Sequence, residues 1–137
     1  MPSFNIFDIA GSGMSAQTVR LNTTASNLAN ADSVASSADA AYKARHPVFK
    51  AVQAAIGDTS QGQSVQVTGI SQNQAKGEAR YEPGNPLANA DGYVYGSNVN
   101  VVEEMVDMIS ASRSYQNNVE VMNTSKELML ATLKLGQ

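Results

Sequence analysis

The sequence predicts a mainly α fold in which long N- and C-terminal helices form a coiled-coil-like bundle, with a small β-rich insert between them. Three observations predict it. Apolar residues recur with +4/+3 spacing near both chain ends, the rhythm of a coiled-coil seam. The middle of the chain loses that rhythm and alternates β-branched with polar residues. Aromatic residues make up only 6% of the chain and Trp is absent, so little is available to build a large core. The chain then divides into an N-terminal amphipathic helix over 1–32, a linker over 33–41, a β-rich insert over 42–97 and a C-terminal heptad helix over 98–137. The two termini together make one assembly domain.

In the first helix, predicted over 3–31 with Ser3 as its cap, Phe7, Gly11, Met14, Thr18, Leu21, Ala25 and Leu28 repeat at +4/+3. Gly11 and Gly13 each cost a helix about 1 kcal/mol relative to Ala. Thr18 and Ala25 narrow the seam, which lets a neighbouring backbone come close. The turn-forming cluster Asn30-Ala31-Asp32-Ser33 ends the helix, and the small-residue run Ser33–Ala41 reads as a loop.

Within the insert, His46-Pro47 biases the backbone away from helix, and Val48–Val52 reads as a strand. Gly57–Gln63 is a connection. Val65–Ile70 alternates apolar with polar residues as a second strand, and Ala79-Arg80-Tyr81 is a short third. Pro83-Gly84, Pro86 and Asp91-Gly92 signal turns before Tyr93-Val94-Tyr95. Such an insert is marginal as an independent domain.

The C-terminal helix has the strongest pattern. Val101, Met105, Met108, Ser112, Tyr115, Val119, Met122, Lys126, Met129 and Leu133 follow the heptad, interrupted only by Ser112 and Lys126. Val102, Val106 and Ile109 form a second stripe, expected to widen the buried face at the helix start. Asn100 is a suitable N-cap, with Glu103 placed for a capping box. Glu103, Glu104 and Asp107 set negative charge in the first turns, Lys134 sets positive charge in the last, and Gly136 follows as a stop. At 1.5 Å per residue this helix would run roughly 50 Å and needs a partner to bury its seam.

The residues argue against catalysis. His46 is the only histidine and there is no cysteine, so neither a transition-metal centre nor a disulfide framework is expected. Gly11-Ser12-Gly13-Met14-Ser15 lacks the Lys-Ser/Thr of a phosphate-binding loop and follows no strand. Asn89-Ala90-Asp91-Gly92 lacks the spaced acids of a calcium loop. Glu103 and Glu104 are adjacent and point apart, so they read as helix-start charge rather than an acid/base pair. The methionines of the heptad stripe read as adaptable packing. No active site and no cofactor are expected.

The net charge of −3 lacks the basic stripe of a nucleic-acid binder. No run approaches the roughly 18 apolar residues of a membrane span. The first basic residue is Arg20 and no apolar run follows the start, so no secretory signal peptide is expected. Two functional classes fit the pattern: a structural protein that polymerises through its terminal helices, and a soluble adaptor or regulatory module that lays one amphipathic helix in a partner's groove.

Both ends also carry a resemblance. Ala25-Ser26-Asn27-Leu28-Ala29-Asn30-Ala31-Asp32-Ser33, preceded by Ser12–Gln17 and Arg20-Leu21, resembles the signature that closes the N-terminal helix of the flagellar rod, hook and hook-associated proteins. Asp91–Tyr95, Asn98-Val99-Asn100, Glu104–Met108 and Ala111–Val119 are similar to the C-terminal part of that family. The short length sets aside the larger distal rod and hook proteins. The Pro83, Pro86 and Asp91-Gly92-Tyr93 approach to the last helix points to a proximal rod subunit other than FlgB. After the first signature the family usually has a Thr-rich segment, where this chain is Ala/Ser-rich.

The resemblance implies a structural subunit of the basal-body rod, the drive shaft from motor to hook, exported unfolded through the flagellar type III apparatus. Implied partners are copies of itself, FlgB, the distal rod proteins, the rod-base adaptor protein, the MS ring and the export gate. The assembly interface is expected at Phe7, Met14, Leu21, Ala25, Asn27, Leu28 and Asn30 of the first helix. On the last helix it is expected at Val101, Met105, Met108, Ser112, Tyr115, Val119, Met122, Met129 and Leu133.

Overall fold

The computed structural model describes residues 2–53 and 62–136. Two helices dominate it, α1 over Pro2–Ala29 and α2 over Val101–Leu135. They pack antiparallel along their lengths: Asn27 meets Glu104 near one end of the pair, and Ile6 lies beside Ser125 and Met129 near the other. Helix α1 already includes Ser3, so Ser3 is not its cap. It stops where the turn cluster predicts. The Asn30 amide nitrogen donates back to the Ser26 carbonyl at 2.8 Å, and the Ser33 hydroxyl donates to the Asn30 carbonyl at 2.7 Å. Helix α2 opens on Asn100, whose side-chain oxygen accepts from the Val102 and Glu103 N–H groups. That satisfies two of the donors a helix start leaves open. Gly136 follows the last turn with φ −93°, outside the left-handed region of the common glycine stop.

Between the helices run five strands: β1 (Val34–Ala35), β2 (Arg45–Gln53), β3 (Gln63–Gln72), β4 (Ala79–Tyr81) and β5 (Tyr93–Gly96). β2 and β3 pair antiparallel, with Pro47 opposite Ile70 and a register shift between Val48 and Phe49. The other three form a separate antiparallel sheet in the order β1-β5-β4. Three corrections to the sequence reading follow. The linker is not all loop, because Val34 and Ala35 pair with Gly96 and Tyr95. The first hairpin strand starts at Arg45, so His46 and Pro47 belong to it. The predicted connection Gly57–Gln63 lies mostly outside the described residues, and Gln63 itself opens β3. The turn signal at Asp91-Gly92 is real: Gly92 has φ +82°, and a Cβ there would lie 2.8 Å from the Tyr81 ring, so glycine is required for both conformation and space.

The buried apolar residues among those described are Ala10, Ala16, Ala41, Ala44, Ala111 and Val94. Alanines bring backbones together but remove little apolar area from water. The chain accordingly exposes 9270 Å², roughly a third more than the about 6,800 Å² of a compact monomer of its mass.

Candidate assembly interface

The helix pair meets along a seam set one residue toward the N-terminus of the apolar heptad in α1. Ile6, Ala10, Gly13, Gln17, Arg20, Thr24 and Asn27 repeat at +4/+3; Gly13, Arg20 and Asn27 meet α2 residues directly, and Ile6 lines a cleft shared with Ser125 and Met129. On α2 the facing positions include Glu104, Ala111, Asn118 and Ser125, spaced by seven, with Met108, Met122 and Met129 half-buried beside them. Small side chains set this register. A Cβ on Gly13 would fall 2.8 Å from the Asn118 amide nitrogen, and Ala111 is fully buried. Bulkier neighbours on either side could not sit on the axis of so close an approach.

At one end of the seam lies a buried polar junction. The Asn27 side chain is 0% exposed and makes four hydrogen bonds. Its nitrogen donates to the Arg45 carbonyl at 2.8 Å and to Glu104 Oε1 at 2.9 Å. Its oxygen accepts from the Arg45 N–H at 3.0 Å and from the Tyr42 hydroxyl at 3.0 Å. One side chain thus ties α1, the start of the hairpin and α2 together, with every donor and acceptor of its amide in use. Asn98 does similar work at the neck of α2. Its oxygen accepts from the Ala44 N–H at 2.7 Å, and its nitrogen donates to the Asn73 and Ala75 carbonyls.

Glu104 is 2% exposed, which corrects its reading as helix-start surface charge. His46 Nε2 lies 3.7 Å from its Oε1. Asp107, one turn on, pairs with Arg20 at 2.6 Å. The ligand atoms of His46, Glu104 and Asp107 fall within 4.8 Å of one another. A cation there would have to compete with the Arg20 guanidinium for Asp107 and with the Asn27 amide for Glu104. The Arg20–Asp107 ion pair and the Asn27–Glu104 hydrogen bond join α1 to α2 at this end of the pair. Glu103 does not complete the capping box among the described hydrogen bonds, and it is exposed.

The outer face of α2 is the opposite in character. Val102, Val106 and Ile109 are 69%, 61% and 56% exposed, with Met105 beside them. This overturns the expectation that the second stripe widens the buried face. At 100° per residue these positions lie on the far side of the helix from Glu104 and Ala111. Val121, Leu128, Leu130, Leu133 and Leu135 are also exposed but do not together continue this face: Leu133 lies nearly in line with Glu104 and Ala111, and Leu128 lines a cleft with Ile6 of α1.

Of the residues predicted for the interface, Asn27 is buried in the junction. Phe7, Met14, Leu21, Leu28, Asn30, Met108, Ser112, Val119, Met122 and Met129 are half-buried at the margins of the seam, and Ala25, Val101, Met105, Tyr115 and Leu133 are exposed. Reasoning from apolar spacing missed Arg20, Glu104, Asp107 and Ala111. The signal that could have found them is a second heptad of small and polar residues running alongside the apolar one. No helix among the described residues is long and apolar enough to cross a membrane.

Comparison with known proteins matches both ends of the chain. Residues 7–35 match the family described as flagella basal body rod protein. Residues 90–135 match the C-terminal region described for the flagellar basal body rod FlgEFG proteins. Over 137 residues, the full length of both chains, the sequence is 56% identical to the flagellar basal-body rod protein FlgC of Salmonella typhimurium. It is likewise 56% identical, full length, to FlgC of Escherichia coli O6:H1. FlgC of Buchnera aphidicola from Schizaphis graminum is 42% identical, again across both whole chains.

Proposed function

The chain belongs to the FlgC family of flagellar basal-body rod proteins, and on that premise we propose that it builds the rod by dividing labour between two faces of α2. It is a structural subunit of the basal body, with no enzymatic role, and it assembles with other rod proteins. The inner face, with Glu104, Ala111 and Asn118, holds α1 and α2 of one subunit in register. The outer apolar stripe meets neighbouring subunits. The observation that carries this reading is the exposure of Val102, Val106 and Ile109 opposite the packed seam. An apolar face of that kind is covered in a working protein.

Torque passes along such a shaft because many short packing contacts would have to shift together before one subunit could slip past another. FlgB, the distal rod proteins, the rod-base adaptor protein and the MS ring are the neighbours that the resemblance of the chain ends implies. Export in an unfolded state through the flagellar type III apparatus and export gate suits a chain whose core is largely alanine and whose monomer leaves so much surface in water.

Substituting the outer face tests the division. Val106→Asp changes an exposed position, where monomer stability shifts by about 0.5 kcal/mol or less. The purified variant should keep the circular dichroism of its parent, be exported normally, and leave cells non-motile without complete rods. Motile cells with full-length rods would remove the outer stripe from the interface.

A further inference from the structure

The chain has no cysteine and six methionines, so thioethers are its most readily oxidised groups. The fold does not treat the methionines alike. Met14, Met108, Met122 and Met129 are half-buried at the edges of the helix seam, whereas Met105 is 55% exposed. The surroundings of Met105 are apolar. Residues three and four positions away along a helix are its surface neighbours, and here they are Val102, Met108, Val101 and Ile109. None of these side chains carries a hydrogen-bond donor. Val101, Val102 and Ile109 are themselves exposed, so the Met105 thioether is part of the apolar surface at the start of α2.

We propose that Met105 is a modification site: hypochlorous acid oxidises it in a subunit not yet incorporated, and the sulfoxide keeps that subunit out of the rod. The sulfur gives an electron pair to the chlorine of hypochlorous acid, which forms an S–Cl bond and releases hydroxide. Water then attacks the sulfur and chloride leaves. Of the two protons lost by that water, one neutralises the hydroxide and one passes to solvent. The thioether is oxidised by two electrons and the chlorine is reduced to chloride. In the free subunit the new oxygen is solvated and costs little. Under a neighbouring subunit it would be buried among apolar side chains, and a polar group without a partner resists burial. Once the stripe is covered the thioether is shielded, so the finished rod is insensitive to the oxidant. Methionine sulfoxide reductases restore the thioether, which makes the mark reversible. The inference rests on the outer stripe being an interface in the rod and adds a condition on which subunits can enter it.

The purified full chain is first treated with limiting hypochlorite and its peptides are read by mass spectrometry. Met105 should carry sulfoxide before Met14, Met108, Met122 and Met129. Even oxidation of all of them, or another of them first, would overturn the site. Parent and Met105→Leu chains are then induced together in cells lacking the native gene, with and without hypochlorite. Their ratio in isolated basal bodies is compared with their ratio in whole cells. At a dose that oxidises half of the unincorporated Met105, the variant should be enriched about twofold in basal bodies relative to untreated cells, because half of the parent chains are barred. Reading the enrichment against untreated cells cancels any effect of the substitution itself on assembly. No enrichment at that dose would overturn the proposal and leave the rod reading intact. Absence of both chains from basal bodies, with or without oxidant, would overturn the rod reading and the proposal with it.

Discussion

Replacing Asn27 by Ala is expected to undo the junction of the two helices and the insert. The substitution leaves the Arg45 N–H and carbonyl, the Tyr42 hydroxyl and the Glu104 carboxylate without the partner that now serves all of them. A buried polar group left unmade costs about 1–3 kcal/mol, and more when charged. Even with partial relaxation the loss should reach on the order of 3–5 kcal/mol, as for a broken buried pair. That is a large share of the about 5–15 kcal/mol that holds an ordinary domain. Urea unfolding followed by circular dichroism should show the midpoint falling sharply, and cells carrying the variant should not swim. Tyr42→Phe is the internal control. It removes one hydroxyl that also has Ser26 within reach at 3.2 Å, so its effect should stay near 1 kcal/mol. Equal effects from the two variants would mean that Asn27 is not the hub.

The second large effect belongs to Ala111→Leu. Ala111 is fully buried, on the same heptad position as Glu104 and Asn118. Three extra carbons at a close helix crossing have nowhere to go except by pushing the helices apart. Overpacking of this kind costs about 1–3 kcal/mol, and separation would also lengthen the Arg20–Asp107 and Asn27–Glu104 contacts, adding to the loss. Ile109→Leu, a change of similar chemistry two residues away on the outer face, should leave monomer unfolding unchanged. A urea midpoint for Ala111→Leu that matches that of Ile109→Leu would place Ala111 off the seam.

Much of the architecture could be read from the residues. The period of α2, its Asn100 cap, the stop at Asn30–Ser33 and the strands around Val48–Val52, Val65–Ile70 and Ala79–Tyr81 follow from local chemistry, because each depends on neighbours in sequence. What could not be read was which face of each helix meets the other. Apolar spacing selects the larger side chains, and in most bundles these mark the core. Here the helices approach on Gly13, Ala111 and paired polar groups, so the larger side chains are left at the margins or on the outside. Ser112 and Lys126, which looked like flaws in the seam, simply sit beside it. Glu104 was misread for the same reason. A carboxylate in the first turn of a helix is ordinarily a surface charge that favours the dipole; here distant parts of the chain cover it, with Oε1 accepting from Asn27 and lying 3.7 Å from His46 while Oε2 is buried without a hydrogen-bond partner. The pairing of Val34–Ala35 with β5 was hidden because a two-residue strand has no period to detect.

The exposed stripe gives meaning to that arrangement. A subunit that buried its largest apolar residues internally would be more stable alone and would have less to offer its neighbours. This chain uses small and polar residues for internal register and keeps Val102, Met105, Val106 and Ile109 on its surface.

The most direct measurement is electron cryomicroscopy of isolated basal bodies at side-chain resolution in the proximal rod. The two-face account predicts Asn27 still bonded to Glu104 within one subunit and Val102, Val106 and Ile109 covered by a neighbouring subunit. A rod in which those three side chains face solvent, or in which Glu104 takes its partner from another subunit, would contradict it.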